Sequence, residues 1–250
     1  MTNEFIRTEM LFGKENIKNL KEKRIAIFGI GGVGSYALEA LVRMGVGNID
    51  IIDNDVVSLS NINRQLIALH STVGQYKVDV AFNRCKDINE NCNIKTYKQF
   101  YLNNDDQSFD FASYDYVVDA IDTISGKISL VLECQKHNTP IISSMGTGNK
   151  IDPTKLCVKD IYKTSVCPLA KVMRRELKRR GVKKLKVVYS EELPKKQDNS
   201  IIDKENFSGS RRTIPASCSF VPSTAGLIIA SEVIKDLIYG EDKKEDFTGI

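Results

Sequence analysis

The first strong apolar signal along the chain is the β-branched run Lys23–Ile30, which ends in glycines and predicts a buried parallel strand. Ala37, Leu38, Leu41 and Val42 then recur at helical spacing. They predict a helix from Gly32 to Met44, closed by Gly45. Ile49–Asp53 predicts the next strand and completes a βαβ unit. Asp55–Gly74 has no clear period and is rich in Asn and Ser, so it reads as irregular. Val78, Ala81, Phe82 and Cys85 mark a second helix, Gln75–Ile88. Strands follow at Ile94–Phe100, Tyr116–Ala120 and Pro140–Ser143, with a helix at Ile128–His137. Strands alternating with helices predict an α/β fold whose mostly parallel sheet is covered by helices on both faces.

After Gly148 the pattern loosens. Leu169, Val172, Met173 and Leu177 share one side of a helix predicted over Leu169–Arg180, and Val187–Tyr189 predicts a strand. Residues 192–212 are polar and read as a mobile loop. Ser223–Tyr239 predicts a long helix, with Pro222-Ser223 at its start and Gly240 after it. We expect one domain over 1–250, with a first part at 1–148, a second at 149–240 and a charged tail at 241–250.

With 250 residues and 42% hydrophobic content, the chain is long enough for one large α/β core. No apolar run approaches the ~20 residues a membrane helix needs, and Met1–Lys14 lacks a signal-peptide core, so the cytoplasm is the expected location. None of the six cysteines forms a CxxC pair, which predicts free thiols and removes the usual structural zinc pattern.

Chemistry enters at Gly29-Ile30-Gly31-Gly32-Val33-Gly34, set between the first strand and helix. Glycines there permit a tight turn and let backbone N–H groups approach phosphate at a helix N-terminus. Asp53, 19 residues after Gly34 and at the end of the second strand, suits ribose hydroxyls. This pattern alone fits NAD or ATP. The stretch after it decides: Asp55, Asn61, Arg64, Gln65 and Lys77 offer two cations and several amides where a hydride-transfer site needs an apolar nicotinamide pocket. Arg64 and Lys77 suit the charge that builds as pyrophosphate leaves, whereas singly each would read as a solvated side chain. Asp122, in Asp119-Ala120-Ile121-Asp122 at a strand's carboxyl end, fits either a Mg²⁺ ligand or a helix cap.

These motifs, GIGGVG (29–34), DNDVVSLSNINRQ (53–65), VGQYKV (73–78) and DAID (119–122), resemble those of the E1-like activating enzymes, the family of the ThiF and MoeB adenylyltransferases and the ubiquitin E1s. The resemblance implies a Rossmann-like E1 fold in which 1–148 binds ATP. It implies that Asp53, Asn61, Arg64, Gln65 and Lys77 contact ATP and that Asp122 binds Mg²⁺. It also implies a homodimer in which Arg7, in FIRTEMLFG, reaches the neighbouring subunit's nucleotide.

One branch fits nearly the whole chain. The stretches at 63–78, 143–182 and 219–237 resemble the tRNA threonylcarbamoyladenosine dehydratases. That resemblance implies ATP-dependent adenylation of the threonyl carboxylate of a modified adenosine next to the anticodon, then ring closure with net loss of water. The rivals are an adenylyltransferase for a sulfur-carrier protein ending in Gly-Gly and, more distantly, an NAD-dependent oxidoreductase.

A tRNA partner is also suggested by charge. Between Lys171 and Lys186 stand nine basic residues and one acidic residue, Glu176. Arg174, Arg175, Lys178 and Arg179 are the expected tRNA contacts, and Arg211 and Arg212 in the polar loop would extend the surface. A solvated helix face is the plainer reading, but it normally mixes signs. Some E1-like enzymes pass the acyl group to a thiol. Cys218 is best placed for that, and a sulfur-transfer protein is then a candidate partner, although an intramolecular cyclisation needs no thioester.

Overall fold

The computed structural model describes residues 3–102, 109–198, 200 and 215–240. Two short helices open the chain, α1 (Ile6–Phe12) and α2 (Lys14–Leu20). Neither was anticipated. Each is seven residues long, too short to show a full amphipathic repeat, and α1 buries none of its side chains.

The core is a seven-stranded sheet in the order β3-β2-β1-β4-β5-β7-β6. Its strands are β1 (Arg24–Phe28), β2 (Asn48–Ile52), β3 (Asn93–Tyr97), β4 (Tyr116–Asp119), β5 (Ile141–Ser144), β6 (Leu156–Asp160) and β7 (Lys186–Ser190). All pairings are parallel except β6 with β7. Strand β6 is a correction to the sequence reading. Its five residues are all half-buried, so LCVKD shows neither the apolar run of a central strand nor strict alternation.

The helices between strands are α3 (Gly34–Arg43), α4 (Lys77–Ile88), α5 (Ile124–His137) and α6 (Pro168–Arg179), and α7 (Phe220–Tyr239) follows the last strand. Alternation along β1 sorts the core onto two faces. Ile25 and Ile27 join a cluster with Leu38 and Leu41 of α3, Val78 of α4 and Ile229 and Val233 of α7. Ala26 and Phe28 join the opposite cluster with Tyr101, Phe109, Phe111 and Leu130 of α5. Farther along that face, Met173 and Leu177 of α6 pack with Val187 and Tyr189 of β7.

Helix α5 starts four residues before the predicted Ile128. Its first turns carry Lys127, a fully buried lysine that disguises the apolar face. Helix α7 starts three residues early and absorbs Pro222 into its first turn, where the missing N–H costs no intrahelical bond. Residues 241–250, and with them the expected tail, lie outside the described residues, as do Arg211, Arg212 and most of the polar loop. No helix among the described residues is long and apolar enough to cross a membrane.

Candidate active site

The glycine segment turns sharply between β1 and α3. Gly29 has φ 91°, and a Cβ there would stand 2.7 Å from the Ala120 carbonyl oxygen, backbone that cannot yield. At Gly34 a Cβ would stand 1.8 Å from the Gly29 carbonyl oxygen. The turn therefore excludes side chains on its inner wall and leaves a backbone-lined cradle before α3.

Asp53 follows β2 and ties this cradle down. One carboxylate oxygen accepts from the Ile30 N–H at 2.7 Å and the other from the Asp55 N–H at 2.8 Å. Burial pushes its pKa up, and Lys77 and the two N–H groups pull against that rise. Lys77, the first residue of α4, is buried. Its ammonium lies 2.6 Å from Asp55 and 4.0 Å from Asp53. The plainer expectation of an exposed helix lysine thus fails for Lys77.

Arg64 is half-buried, and burial lowers its pKa. It donates to the Ser60 carbonyl and the Asn63 side chain, both at 2.9 Å, and its Cγ lies 3.5 Å from where a Cβ on Gly32 would stand. Asn61 is buried and accepts from the Ser58 N–H at 3.1 Å, which holds the loop carrying Arg64. Gln65 is buried too, yet its carbonyl oxygen Oε1 has no hydrogen-bond partner among the described residues. Its amide nitrogen faces Gly31, 3.9 Å from where a Cβ would be. A buried acceptor left unsatisfied beside an open glycine cradle is what a site awaiting a polar ligand presents.

The two aspartates of the 119–122 motif separate. Asp119 is fully buried, pairs with Lys127 at 3.0 Å and accepts from the Ser143 hydroxyl. Lys127 also donates to the Ser144 carbonyl at 2.7 Å, so this ion pair clamps the ends of β4 and β5. Asp122, in the loop beyond, is exposed on the carboxyl edge of the sheet. Lys127 escaped the sequence reading. The signal was available, since an i to i+8 Asp–Lys pair across a strand–helix corner brackets the motif, but a lysine in a helix ordinarily reads as solvated.

A second region adjoins the cradle. Asn63 donates to the Ser217 carbonyl at 3.0 Å, and a Cβ on Gly32 would stand 3.2 Å from Pro222 of α7. Beyond Ser217 opens a cleft of about 140 Å³ lined by residues 149–151, 195–197 and 216–218. Cys218 sits there half-exposed, its thiol 3.4 Å from the Lys150 carbonyl. Cys85, Cys92, Cys134 and Cys167 are buried, and burial pushes Cys85 up to about 12 and Cys92 to about 11.

The basic stretch lies elsewhere, on α6 and after it. Arg175, Lys178 and Arg179 are exposed, but Arg174 is not among the most exposed. It is half-buried and donates to the Thr164 carbonyl at 3.0 Å and to its hydroxyl. Glu176 is ringed by Arg175 at 3.1 Å, Arg179 at 3.6 Å and Arg180 at 2.8 Å, which hold its carboxyl below the usual range. Arg7 stands exposed on α1, beside the exposed Ile6, Met10 and Leu11.

Comparison with known proteins is consistent along the whole chain. The ThiF family model matches residues 5–248. The tRNA threonylcarbamoyladenosine dehydratase of Bacillus subtilis is 45% identical over 243 residues, covering 95% of this chain and 96% of its own. The Escherichia coli tRNA N6-threonylcarbamoyladenosine dehydratase, TcdA, solved in complex with AMP, superposes with a TM-score of 0.83 at 32% identity, covering 93% of this chain and 92% of that one. Its complex with ATP gives 0.82 at 31% identity, covering 94% and 93%. A glycine cradle, a carboxylate at the end of β2, two cations behind it and a family match spanning nearly every residue lead to one conclusion: the chain belongs to the ThiF family.

Proposed function

We propose that the protein is an ATP-dependent tRNA-modifying enzyme. It adenylates the carboxylate of N6-threonylcarbamoyladenosine, next to the anticodon, and promotes its cyclodehydration. The observation that carries the nucleotide half is the pairing of a side-chain-free glycine turn with a buried lysine and a half-buried arginine. The substrate half rests on full-length similarity to proteins of that activity.

The residues divide the work. Asp53 accepts the ribose hydroxyls while its backbone partners hold the cradle in place. The free Gln65 oxygen and the Asn61 loop support the nucleotide's polar edge. In the first step a carboxylate oxygen attacks the α-phosphorus, and the bond to the departing pyrophosphate breaks. Lys77 and Arg64 meet the charge that accumulates on that leaving group, where fixed cations are worth most. The carbamoyl group then closes onto the activated carbonyl and expels AMP, so the atoms of water leave divided between AMP and pyrophosphate.

Asp122 would hold Mg²⁺ together with phosphate oxygens and water, and the metal would supply charge neutralisation there. The described residues contain no group of three or more His, Cys, Asp or Glu side chains, which fits an ion that takes one or two carboxylates and keeps its waters. A homodimer would bury the apolar side chains of α1 and carry Arg7 to the partner's nucleotide. Arg175, Lys178 and Arg179, with Arg174 behind them, are assigned to tRNA phosphates. The protein is assigned to the cytoplasm. No thiol step is needed, so Cys218 and a sulfur-transfer partner stay outside the scheme.

The test is incubation with ATP and tRNA carrying threonylcarbamoyladenosine, followed by mass analysis of the nucleosides. A product lighter by one water, formed only with ATP, is the expected result. An unchanged nucleoside beside active adenylation of a Gly-Gly-ended carrier protein would replace this reading with the sulfur-carrier one.

A further inference from the structure

Asn63 stands beside Arg64 and is exposed. Its side-chain amide bonds in two directions. Nδ2 donates to the Ser217 carbonyl at 3.0 Å, 154 positions along the chain, and Oδ1 accepts from Arg64 Nη1 at 2.9 Å. The partners dictate this orientation, because a guanidinium only donates and a carbonyl only accepts. An amide meets both needs. A carboxylate would offer Ser217 no donor, and an ammonium would offer Arg64 no acceptor.

Both ends of this bridge are held. Ala216, next to Ser217, is latched to Asn149 by two bonds. Its carbonyl accepts from the Asn149 N–H at 2.7 Å, and its N–H donates to the Asn149 side chain at 2.9 Å. Asn149 lies in the loop after β5 at φ 59°, a left-handed conformation that asparagine adopts more readily than most residues. At the other end, Arg64 Nη1 also donates to the Ser60 carbonyl at 2.9 Å. Both side-chain bonds of Arg64 thus leave from one nitrogen, so Nε and Nη2 keep their donors for a ligand. The stem is flanked by Gly32, whose Cβ would stand 3.5 Å from Arg64 Cγ and 3.2 Å from Pro222. Burial alone lowers the Arg64 pKa, and no acidic neighbour raises it. The guanidinium is held by neutral acceptors, which leave its charge uncompensated for a phosphate.

We propose that Asn63 is a positioning residue for adenylation, tying Arg64 of the nucleotide site to Ser217 in the segment that leads into α7. This role rests on the adenylation reading above, in which Arg64 meets the departing pyrophosphate. A neutral acceptor suits it, because a carboxylate in that place would cancel the charge that the leaving group needs. The bridge is exposed and adds little to folding. Its effect is on geometry: one nitrogen is pinned, so the remaining donors of the fork keep one direction.

The experiment is a double-mutant cycle of Asn63→Ala and Arg64→Ala. It is read by steady-state pyrophosphate release from ATP with tRNA carrying threonylcarbamoyladenosine, alongside thermal melts and ATP titration calorimetry. In the wild-type background Asn63→Ala should lower kcat by roughly tenfold, short of the 10²–10³ expected for loss of the cation itself. Its melting temperature and ATP affinity should stay near those of the wild type. In the Arg64→Ala background the same change should move kcat by less than about twofold, since a residue that acts through Arg64 then has nothing to place. Asn63→Asp keeps an acceptor for Arg64 but offers Ser217 no donor, and it should be impaired as well. Normal kcat in either single Asn63 variant overturns the proposal while leaving the enzyme reading intact. An equal fall in both backgrounds overturns it too, because Asn63 would then act without Arg64, and so does a raised KM for ATP with kcat kept. Wild-type protein that releases no pyrophosphate with that tRNA overturns the adenylation reading and this role with it.

Discussion

Lys77→Met removes the buried ammonium and keeps its stem. That ammonium lies 2.6 Å from Asp55 and 4.0 Å from Asp53, so it is already compensated. When a triphosphate arrives, Lys77 exchanges one anionic partner for another. The net change in ground-state binding is small, and ATP affinity should move by less than about tenfold. The bond-breaking step differs, because charge grows on the departing pyrophosphate and Asp55 offers no equivalent gain. Loss of one preorganised cation there costs roughly 10²–10³ in kcat, about 2.7–4 kcal/mol. The variant also shifts Asp53. Burial raises that carboxyl and Lys77 lowers it, so removing Lys77 raises it further. Nucleotide binding that needs ionised Asp53 is lost as pH falls through its pKa, and that acid limb should move to higher pH in the variant. Steady-state pyrophosphate release gives kcat and KM, and titration calorimetry from acid to neutral pH gives affinity. Near-normal kcat with a raised KM for ATP would refute the reasoning by showing that Lys77 serves ground-state binding only.

Asp53→Ala should weaken ATP by about 1.5–3 kcal/mol, since a charged acceptor is lost, and thermal protection by ATP but not NADH checks the nucleotide identity. Mixing Arg7→Ala with Asp122→Ala protein should restore some activity, because one of the two hybrid sites is intact. No rescue after proven subunit exchange counts against a shared site. Arg175→Glu with Arg179→Glu should leave ATP binding alone and flatten the salt dependence of tRNA affinity by about 0.7–0.9 per lost phosphate contact, measured by titration at several salt concentrations. The same pair also frees Glu176 from two of its three arginines, so a folded-state control belongs with that assay.

The parts of this site that were legible in the chain are those set by local rules. A turn that cannot hold a Cβ must be glycine, as at Gly34, and a carboxylate at the end of a strand must sit at the ligand edge of a parallel sheet, as Asp53 does. Features set by distant partners were not legible. Lys127 looks solvated until Asp119 and Ser143 surround it. Arg174 looks like its neighbours until Thr164 claims it. Lys150 sits in a loop with no helical or strand period, and only the folded chain shows that it is buried with its ammonium on the Gly146 carbonyl. Strand β6 is an antiparallel edge partner of β7, and its half-buried residues carry no clean pattern. The 119–122 motif was half legible: its carboxylates stand at the sheet edge as expected, but the division of labour between Asp119 and Asp122 depends on Lys127.

The central claim is that this nucleotide site adenylates a carboxylate carried on tRNA. It is tested most directly by pyrophosphate release from ATP in the presence of tRNA that carries threonylcarbamoyladenosine or lacks it. The account predicts release with the modified tRNA, little release with the unmodified one, and loss of the signal in Lys77→Met. Release that ignores the modification, or that appears only when a carrier protein ending in Gly-Gly is added, would contradict it.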